Sequence, residues 1–278
     1  MIESLRELDS DLAKRDSKLH FLQGDPAEEI TQLAESENCE AVYFNLDYTP
    51  YARVRDDKIA SALADSEIEL VKCHDLLLTE PGSICTNDGD PYKVFTPFKN
   101  KAREQEVSKP QKNNYQNFIR IRNNQLQPKK ILDDMHPGGE SSRQRGGRSH
   151  ALDTLQEMSK YSDYSNQRNT PSVIGTTELS AHLKFGTISI REAYHKIVSE
   201  LSGNSQLITE LYWRDFYMHV LYHFDYVLND MSINGLTYKW PKKVLKSGPR
   251  AGNEVYVDGC YDMSDSYVIC KAYEALNN

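Results

Sequence analysis

The sequence predicts an α/β segment followed by an all-helical segment, and three observations support this. Residues 1–100 alternate short apolar runs with helical patterns, an order typical of a parallel sheet with helices between its strands. Residues 101–150 are polar and contain glycine pairs, which indicates a connector. From residue 151 onward, apolar side chains recur at helical spacing.

The individual elements follow from this patterning. The first helix is indicated by apolar residues at positions 2, 5, 8 and 12, and the second begins after the turn-forming triplet Gly24-Asp25-Pro26. In the α/β segment we expect helices over residues 2–15, 26–33 and 49–64 and strands over residues 19–22, 41–45 and 68–72. In the helical segment we expect helices over residues 152–158, 190–201 and 206–227.

Composition excludes several classes of protein. With 38% hydrophobic and 27% charged residues, the 278-residue chain is typical of a globular protein of two modest domains. No apolar window approaches a membrane span, and charged residues follow Met1 at once, so we expect neither a signal peptide nor a membrane partner. The five cysteines show no CxxC pairing, which favours a cytoplasmic location, or a nuclear one in a eukaryote.

Charge is distributed unevenly along the chain. The formal net charge of −8 argues weakly against nucleic-acid binding, but residues 99–148 contain 12 basic and 5 acidic residues. Such a basic belt can contact DNA phosphates. The alternative is a solvated linker, and we interpret most of the belt in that way.

One helical stretch carries an unusual set of side chains. Glu210, Trp213, Arg214 and Tyr217 lie at i, i+3, i+4 and i+7 and therefore share one face. An indole offers a stacking surface, a guanidinium a fork for phosphate, and a carboxylate a hydrogen-bonding group. The alternative is a surface helix with an Arg–Glu pair and a half-buried tryptophan. The opposite side is apolar and suits a core, with Leu207, Leu211, Met218 and Leu221.

Two other motifs have simpler alternatives. Thr176, Thr177 and Ser180 follow Gly175 just before an apolar run, an arrangement that suits either a phosphate or an ordinary helix N-cap. Considered by themselves, these residues favour the N-cap. His219 and His223 have the i, i+4 spacing of metal ligands, but no third ligand is evident, so we expect a packing or hydrogen-bonding role and no metal site.

Successive blocks of the sequence resemble the photolyase/cryptochrome family, in family order and at family spacing. In the helical segment the blocks cover residues 164–171, 175–189 and 210–217, and in the α/β segment they cover residues 19–26, 42–56 and 92–98. The closest likeness is to class I cyclobutane pyrimidine dimer photolyases. The resemblance implies a partial Rossmann-like antenna domain followed by a truncated helical domain that binds FAD.

The resemblance also implies roles for individual residues. Glu210 would hydrogen-bond the pyrimidine pair and Trp213 would stack on it, which makes these two the catalytic candidates. Contacts with damaged DNA would also come from Arg168 and Tyr217. The flavin, mainly its phosphates, would be held by Tyr164, Thr176, Thr177, Leu179, Ser180 and Arg214.

The implied activity is light-driven repair, in which reduced FAD donates an electron that splits a pyrimidine dimer. Two alternatives remain open: a cryptochrome-like photoreceptor, and a non-catalytic fragment that complements a second polypeptide. We expect a monomer. The family's antenna domain binds a folate or a deazaflavin. Because Tyr51-Ala52 stands where many folate-binding members have Asn-Glu, a deazaflavin is a better expectation than a folate, and another pigment or none remains open.

The resemblance implies domain limits and missing parts. We expect an antenna domain over residues 1–100, a connector over 101–150, part of the FAD-binding domain over 151–240 and an unmatched tail over 241–278. The family's sheet has the strand order 3-2-1-4-5, and the first two strands have no counterpart here. We therefore expect strand 19–22 to pair directly with strand 41–45, and we expect weak flavin binding and little repair by this chain alone.

Overall fold

The structure is a computed structural model that describes residues 1–111, 118, 128–135 and 144–224, together with four short strands further on. The chain divides into two compact units, Met1–His223 and Phe224–Asn278. In the second unit the described residues form two antiparallel pairs, Ser232–Ile233 with Leu236–Thr237 and Lys242–Val244 with Glu254–Tyr256. Most of the predicted tail, and residues 112–117, 119–127 and 136–143 of the predicted connector, lie outside the described residues.

The first part of the larger unit is a small parallel sheet with helices, as the sequence predicts. The elements are helix α1 (Ile2–Ala13), helix α2 (Pro26–Ser36), strand β1 (Ala41–Asn45), helix α3 (Pro50–Asp65) and strand β2 (Glu69–Cys73). Strands β1 and β2 pair in parallel, from Ala41 opposite Glu69 to Asn45 opposite Cys73. The crossover through α3 is the connection that parallel neighbours require.

Local capping explains where α2 and α3 begin. The Asp25 side chain accepts a hydrogen bond from the Ala27 N–H at 2.9 Å, and the Thr49 hydroxyl accepts one from the Ala52 N–H at 3.3 Å. Each cap is followed by a proline at the first helical position, where a missing N–H costs nothing. Because these signals are local, the sequence places both starts within one residue.

The core of this part lies on one face of the sheet. Ala34, Ile59, Leu63 and Ile68 are buried together, and the side chains of Val42, Phe44 and Leu70 pack against them. Tyr43 points to the other face, where 67% of it is exposed. The alternation along β1 is therefore that of a sheet covered on one side.

The expected strand over residues 19–22 is wrong. These residues have no strand partner, and β1 pairs only with β2 among the described residues. The Leu19 N–H instead donates to the Asp9 side chain of α1 at 2.9 Å. A strand edge needs its backbone groups free for a neighbour, so a segment tied to a helix in this way does not extend the sheet.

The rest of the larger unit is mostly helical. Its elements are α4 (Phe95–Ala102), α5 (Pro128–Met135), α6 (Arg148–Gln156), a 3₁₀ turn (Met158–Tyr161), α7 (Tyr164–Gln167), α8 (Leu179–Lys184), α9 (Ile190–Leu201) and α10 (Gln206–His223). The bounds of α9 are those predicted. The helix predicted over 152–158 begins earlier, at Arg148, and the one predicted over 206–227 ends at His223; residues 225–227 lie outside the described part of the chain.

Helix α9 shows why its bounds were predictable. Ser189 and Glu192 form a capping box, in which the Ser189 hydroxyl accepts from the Arg191 N–H and the Glu192 carboxylate accepts from the Ser189 N–H at 2.9 Å. Ile190, Ala193 and Ile197 are buried on one stripe of the helix. The capping box and the buried stripe both place a helix over these residues, so local sequence preference and tertiary packing agree here.

Candidate functional site

Helix α10 is the central element of the candidate site. Leu207 and Leu211 are buried, and Met218 and Leu221 are half-buried, so the side predicted to suit a core does pack inward. Glu210 and Trp213 are half-buried, and Tyr217 is 55% exposed. These three side chains therefore form one solvent-accessible stripe, here called the open stripe, on a helix that is otherwise largely buried.

An ion pair lies at the amino-terminal end of this stripe. The Arg168 guanidinium bonds the Glu210 carboxylate, and each side chain is 34% exposed. The Gln206 amide donates to the same Glu210 oxygen at 2.9 Å. Arg168 also lies over the Tyr164 ring, 6.0 Å from its centre, while burial and, less strongly, the Glu210 charge raise the pKa of the Tyr164 phenol. Three of the predicted residues thus form one polar cluster.

Aromatic rings surround the indole one turn further along. Phe95, the first residue of α4, stacks on Trp213 with ring centres 3.5 Å apart and planes 9° apart. Tyr217 stacks less closely, at 5.5 Å and 24°. Phe216 meets the indole edge-on at 5.8 Å. The sequence predicted Trp213 and Tyr217 at this surface but gave no signal for Phe95, which lies more than 100 positions earlier in the chain.

Together these side chains form a surface, here termed the Trp213 surface, that consists of Arg168, Glu210, Trp213 and Tyr217. It combines a flat aromatic ring and an acidic hydrogen-bonding group on α10 with the cation of Arg168, the residue that follows α7. A planar, hydrogen-bonding ligand that carries a negative charge matches all three features.

Arg214 departs from the predicted face. Its guanidinium donates to the Leu76 carbonyl, in the segment that follows β2, and burial lowers its pKa. The neighbouring side chain, Asp215, is fully buried and accepts hydrogen bonds from the Thr79 N–H at 2.9 Å and the Thr79 hydroxyl at 3.1 Å. Both side chains therefore tie α10 to residues 76–79 rather than to the Trp213 surface.

Sequence reasoning missed Asp215, although a signal existed. The residue lies among the buried positions Leu211, Tyr212, Phe216 and His219, so it interrupts an apolar stripe. Burial raises the pKa of its carboxyl group to about 7, and hydrogen bonds from Thr79 and Leu78 and the nearby Arg214 charge oppose that rise. A second carboxylate oxygen, Oδ1, has no hydrogen-bond partner among the described residues.

The predicted flavin-binding hydroxyls lie on one short segment. Thr176 and Ser180 are exposed, while the Thr177 hydroxyl accepts from the Leu179 N–H at 3.4 Å as α8 begins. Gly175 is required there because a Cβ at this position would lie 2.4 Å from the Gln167 Cβ. Leu179 is 5% exposed and packs into the core.

This segment fits the phosphate end of a flavin nucleotide. Two exposed hydroxyls, and a third at the start of a helix, offer hydrogen-bond donors to an anion. Arg214 does not join them, because its guanidinium is used at Leu76. An ordinary N-cap is not formed either: Glu178 stands at the N-cap position of α8 without a side-chain cap hydrogen bond, and Thr177, which accepts from the Leu179 N–H, lies one residue earlier.

His219 and His223 pack against aromatic rings. The His219 ring meets Phe98 at 4.9 Å and His223 at 5.3 Å. Within the described residues, no cluster of three or more His, Cys, Asp or Glu side chains could hold a metal ion. Burial, and to a smaller extent His223, lowers the pKa of His219 to about 4, while a backbone hydrogen bond with Glu80 opposes the shift.

This shift makes the fold sensitive to acid. Between pH 6.5 and about 4 the unfolded chain binds a proton at His219 that the native state does not, so stability falls as the pH falls through that window. We compare the unfolding free energy of His219→Leu with that of the parent chain. This difference should shift in favour of His219→Leu by on the order of 2 kcal/mol when the pH is lowered from 7 to 5. Urea unfolding at both pH values measures this. The exposed His150→Leu is the control; a difference that is equal at both pH values would contradict the prediction.

Comparisons with known proteins show which family the chain resembles. A family model described as DNA photolyase matches residues 1–114. A deoxyribodipyrimidine photo-lyase from a Synechococcus strain is 36% identical over 241 residues, which cover 79% of this chain and 49% of that protein. The chain spans about half the length of the curated relatives it matches first. No described helix is long and apolar enough to cross a membrane.

Solved structures share the fold. An archaeal photolyase from Sulfolobus tokodaii, described with two FAD molecules, matches with a TM-score of 0.66 and 30% identity over 81% of this chain and 48% of that one. A Synechocystis cryptochrome matches with a TM-score of 0.72 over 87% of this chain and 53% of that one, at 22% identity. The chain therefore belongs to the DNA photolyase/cryptochrome family and consists of its amino-terminal domain and part of its helical region.

Proposed function

We propose that this chain recognises cyclobutane pyrimidine dimers in DNA through the Trp213 surface. The observation that carries the proposal is the position of Trp213, which is half-buried with one face closed by Phe95 and lies on the same helical stripe as Glu210. A ring held in this way is pre-organised for stacking, so little conformational freedom is lost when a base binds.

Three side chains of the surface have a role in this proposal. The indole of Trp213 stacks on one pyrimidine of a dimer that has left the duplex, which costs less than flipping a sound pair because damage weakens stacking. The Glu210 carboxyl group accepts hydrogen bonds from the pyrimidine edge. In the free chain the Arg168 guanidinium bonds the Glu210 carboxylate. When DNA binds, Arg168 turns to a phosphate, so one anionic partner of the guanidinium is replaced by another.

The proposed reaction is that of a deoxyribodipyrimidine photolyase. Bound reduced FAD would supply the electron, after excitation by light, that splits the dimer. The residues of this chain that would hold its phosphates are Thr176, Thr177 and Ser180, and the family resemblance adds Tyr164 to the flavin contacts. Because Arg214 is turned away from these hydroxyls, we propose that this chain binds FAD weakly and repairs little alone.

The proposal for the antenna pigment remains a deazaflavin. At the position where folate-binding members have Asn-Glu, Tyr51 is 73% exposed and Ala52 is 1% exposed. A tyrosine and a buried alanine offer no acid or amide side chain to a pterin ring. Spectra of the purified chain, before and after addition of either pigment, distinguish the two.

The direct test compares damaged with undamaged DNA. Fluorescence anisotropy with a labelled duplex that contains one thymine dimer should give a dissociation constant at least roughly tenfold lower than the same duplex without it. Equal affinities would refute lesion recognition. A flavin absorption band that survives gel filtration, or dimer repair under blue light, would refute the proposal of weak flavin binding but leave lesion recognition standing.

A further inference from the structure

The two oxygens of the Glu210 carboxylate have different surroundings. Oε1 accepts hydrogen bonds from the Arg168 guanidinium and from the Gln206 side-chain amide, the latter at 2.9 Å. Among the described residues no group hydrogen-bonds the other oxygen, Oε2, and Oε2 is not buried. A ligand can therefore reach Oε2 without breaking either bond to Oε1.

Gln206 reaches Glu210 from the preceding turn of the same helix. It is the first residue of α10 and lies four positions before Glu210, the spacing at which side chains of adjacent turns meet. An ionised carboxylate can only accept, so the amide must present its NH2 group to Oε1. Both side chains are half-buried, and water competes less for a bond in such a place than on an open surface.

The two donors to Oε1 differ in charge and in position. Arg168 follows α7 and is cationic, and in the proposed complex its guanidinium turns from Glu210 to a DNA phosphate. Gln206 is neutral, so a phosphate attracts it far less strongly. Its bond to Oε1 also lies within one helix, where the two backbone positions are fixed relative to each other. This bond can therefore outlast the ion pair.

A donor that remains at Oε1 has two consequences for the carboxylate. A glutamate side chain has several rotatable bonds, and ordering them when a ligand binds lowers the affinity, so a side chain that is already held loses less. Because the amide of Gln206 carries no charge, it leaves the negative charge of the carboxylate in place. Oε2 then remains a strong, charge-assisted hydrogen-bond acceptor.

We propose that Gln206 is a positioning residue that holds Glu210 by Oε1, so that Oε2 accepts a hydrogen bond from the N3–H group of a thymine in the dimer. This inference rests on the proposed function, because it assigns Oε2 to a pyrimidine. Gln206 itself contacts no base in this arrangement. It lies one turn before Glu210 and supports the Trp213 surface from there.

The first test uses no DNA. An Arg168→Ala variant removes the ion pair and leaves Gln206 as the donor to Oε1. Three-bond couplings of the Glu210 side chain, measured by nuclear magnetic resonance, should then still show one dominant rotamer. Adding Gln206→Met, which keeps a long side chain but removes the donor, should average these couplings over several rotamers. Identical couplings in the two variants would overturn the inference.

The second test compares two damaged duplexes. One carries an ordinary thymine dimer, and the other carries a dimer methylated at both N3 atoms, which has no N–H group to donate. We expect Gln206→Met to weaken binding of the ordinary dimer by roughly threefold to tenfold, the effect of one hydrogen bond, and to leave binding of the methylated dimer unchanged. A loss that is equal for both duplexes, or absent from both, would contradict the positioning role, since a general structural defect does not depend on the N3 substituent.

Controls separate this inference from the proposal on which it rests. Gln32→Met alters an exposed glutamine on α2 and should leave binding of both duplexes unchanged. If the parent chain does not prefer the ordinary dimer to undamaged DNA, lesion recognition fails, and the rotamer measurement alone decides whether Gln206 holds Glu210. Far-ultraviolet circular dichroism checks that each variant is folded.

Discussion

Replacing Trp213 by alanine is expected to weaken binding to dimer-containing DNA by roughly 10-fold to 100-fold, because one base–aromatic stack contributes about 1–3 kcal/mol. The indole is held against Phe95 at 3.5 Å, so its loss removes a pre-organised platform rather than a mobile side chain. The measurement is a titration of a labelled dimer-containing duplex followed by fluorescence anisotropy. Affinity for the undamaged duplex should change little, since phosphate contacts dominate there.

Two variants control this prediction. Trp213→Phe keeps a flat ring on Phe95 and should retain most of the preference for damaged DNA. Tyr43→Ala removes another aromatic ring, 67% exposed on β1, and should leave binding unchanged. An equal loss for damaged and undamaged DNA after Trp213→Ala would show that the indole contributes to the general affinity and not to lesion recognition.

Replacing Asp215 by asparagine is expected to change how stability depends on pH. Burial raises the pKa of this carboxyl group from an ordinary 3.8 to about 7. Between these values the native state keeps a proton that the unfolded chain has lost, so Asp215 lowers stability as the pH rises from about 4 to about 7. An asparagine still accepts from Thr79 but carries no charge. Above pH 7 we expect Asp215→Asn to be more stable than the parent by on the order of 4 kcal/mol.

Denaturant unfolding at pH 5, 6, 7 and 8 measures the effect. The stability gained by Asp215→Asn should grow up to about pH 7 and stay constant above it. Asp57→Asn is the matched control for the loss of a surface carboxylate, because its side chain is 80% exposed on α3. A gain for Asp215→Asn that is the same at all four pH values would mean that the carboxyl group ionises normally in the folded chain.

Much of the fold was predictable because its signals are local. Apolar periodicity and capping residues such as Asp25, Thr49 and Ser189 depend on neighbours within four positions, and they placed α2, α3 and α9 within a few residues. The strand expected over residues 19–22 failed for the opposite reason. A run of four residues becomes a strand only where a partner edge receives it, and here the Leu19 amide bonds Asp9.

The candidate site was likewise predictable only in part. Helical spacing placed Glu210, Trp213 and Tyr217 on one stripe, and the structure keeps them there. Spacing also assigned Arg214 to that face, but a residue 100° around the helix from Trp213 can turn either way. The segment after β2 brings the Leu76 carbonyl to the guanidinium, and that contact decides its direction.

The sequence by itself determined which side chains α10 presents at each turn, because helix geometry depends only on the residues within it. The resemblance of the sequence blocks to the photolyase/cryptochrome family was likewise recognisable from the sequence alone. Only the tertiary structure decided that Phe95 lies on Trp213 and that Thr79 bonds Asp215, since each pair joins residues more than 100 positions apart. Contacts of that kind depend on how whole elements pack, and no local pattern encodes them.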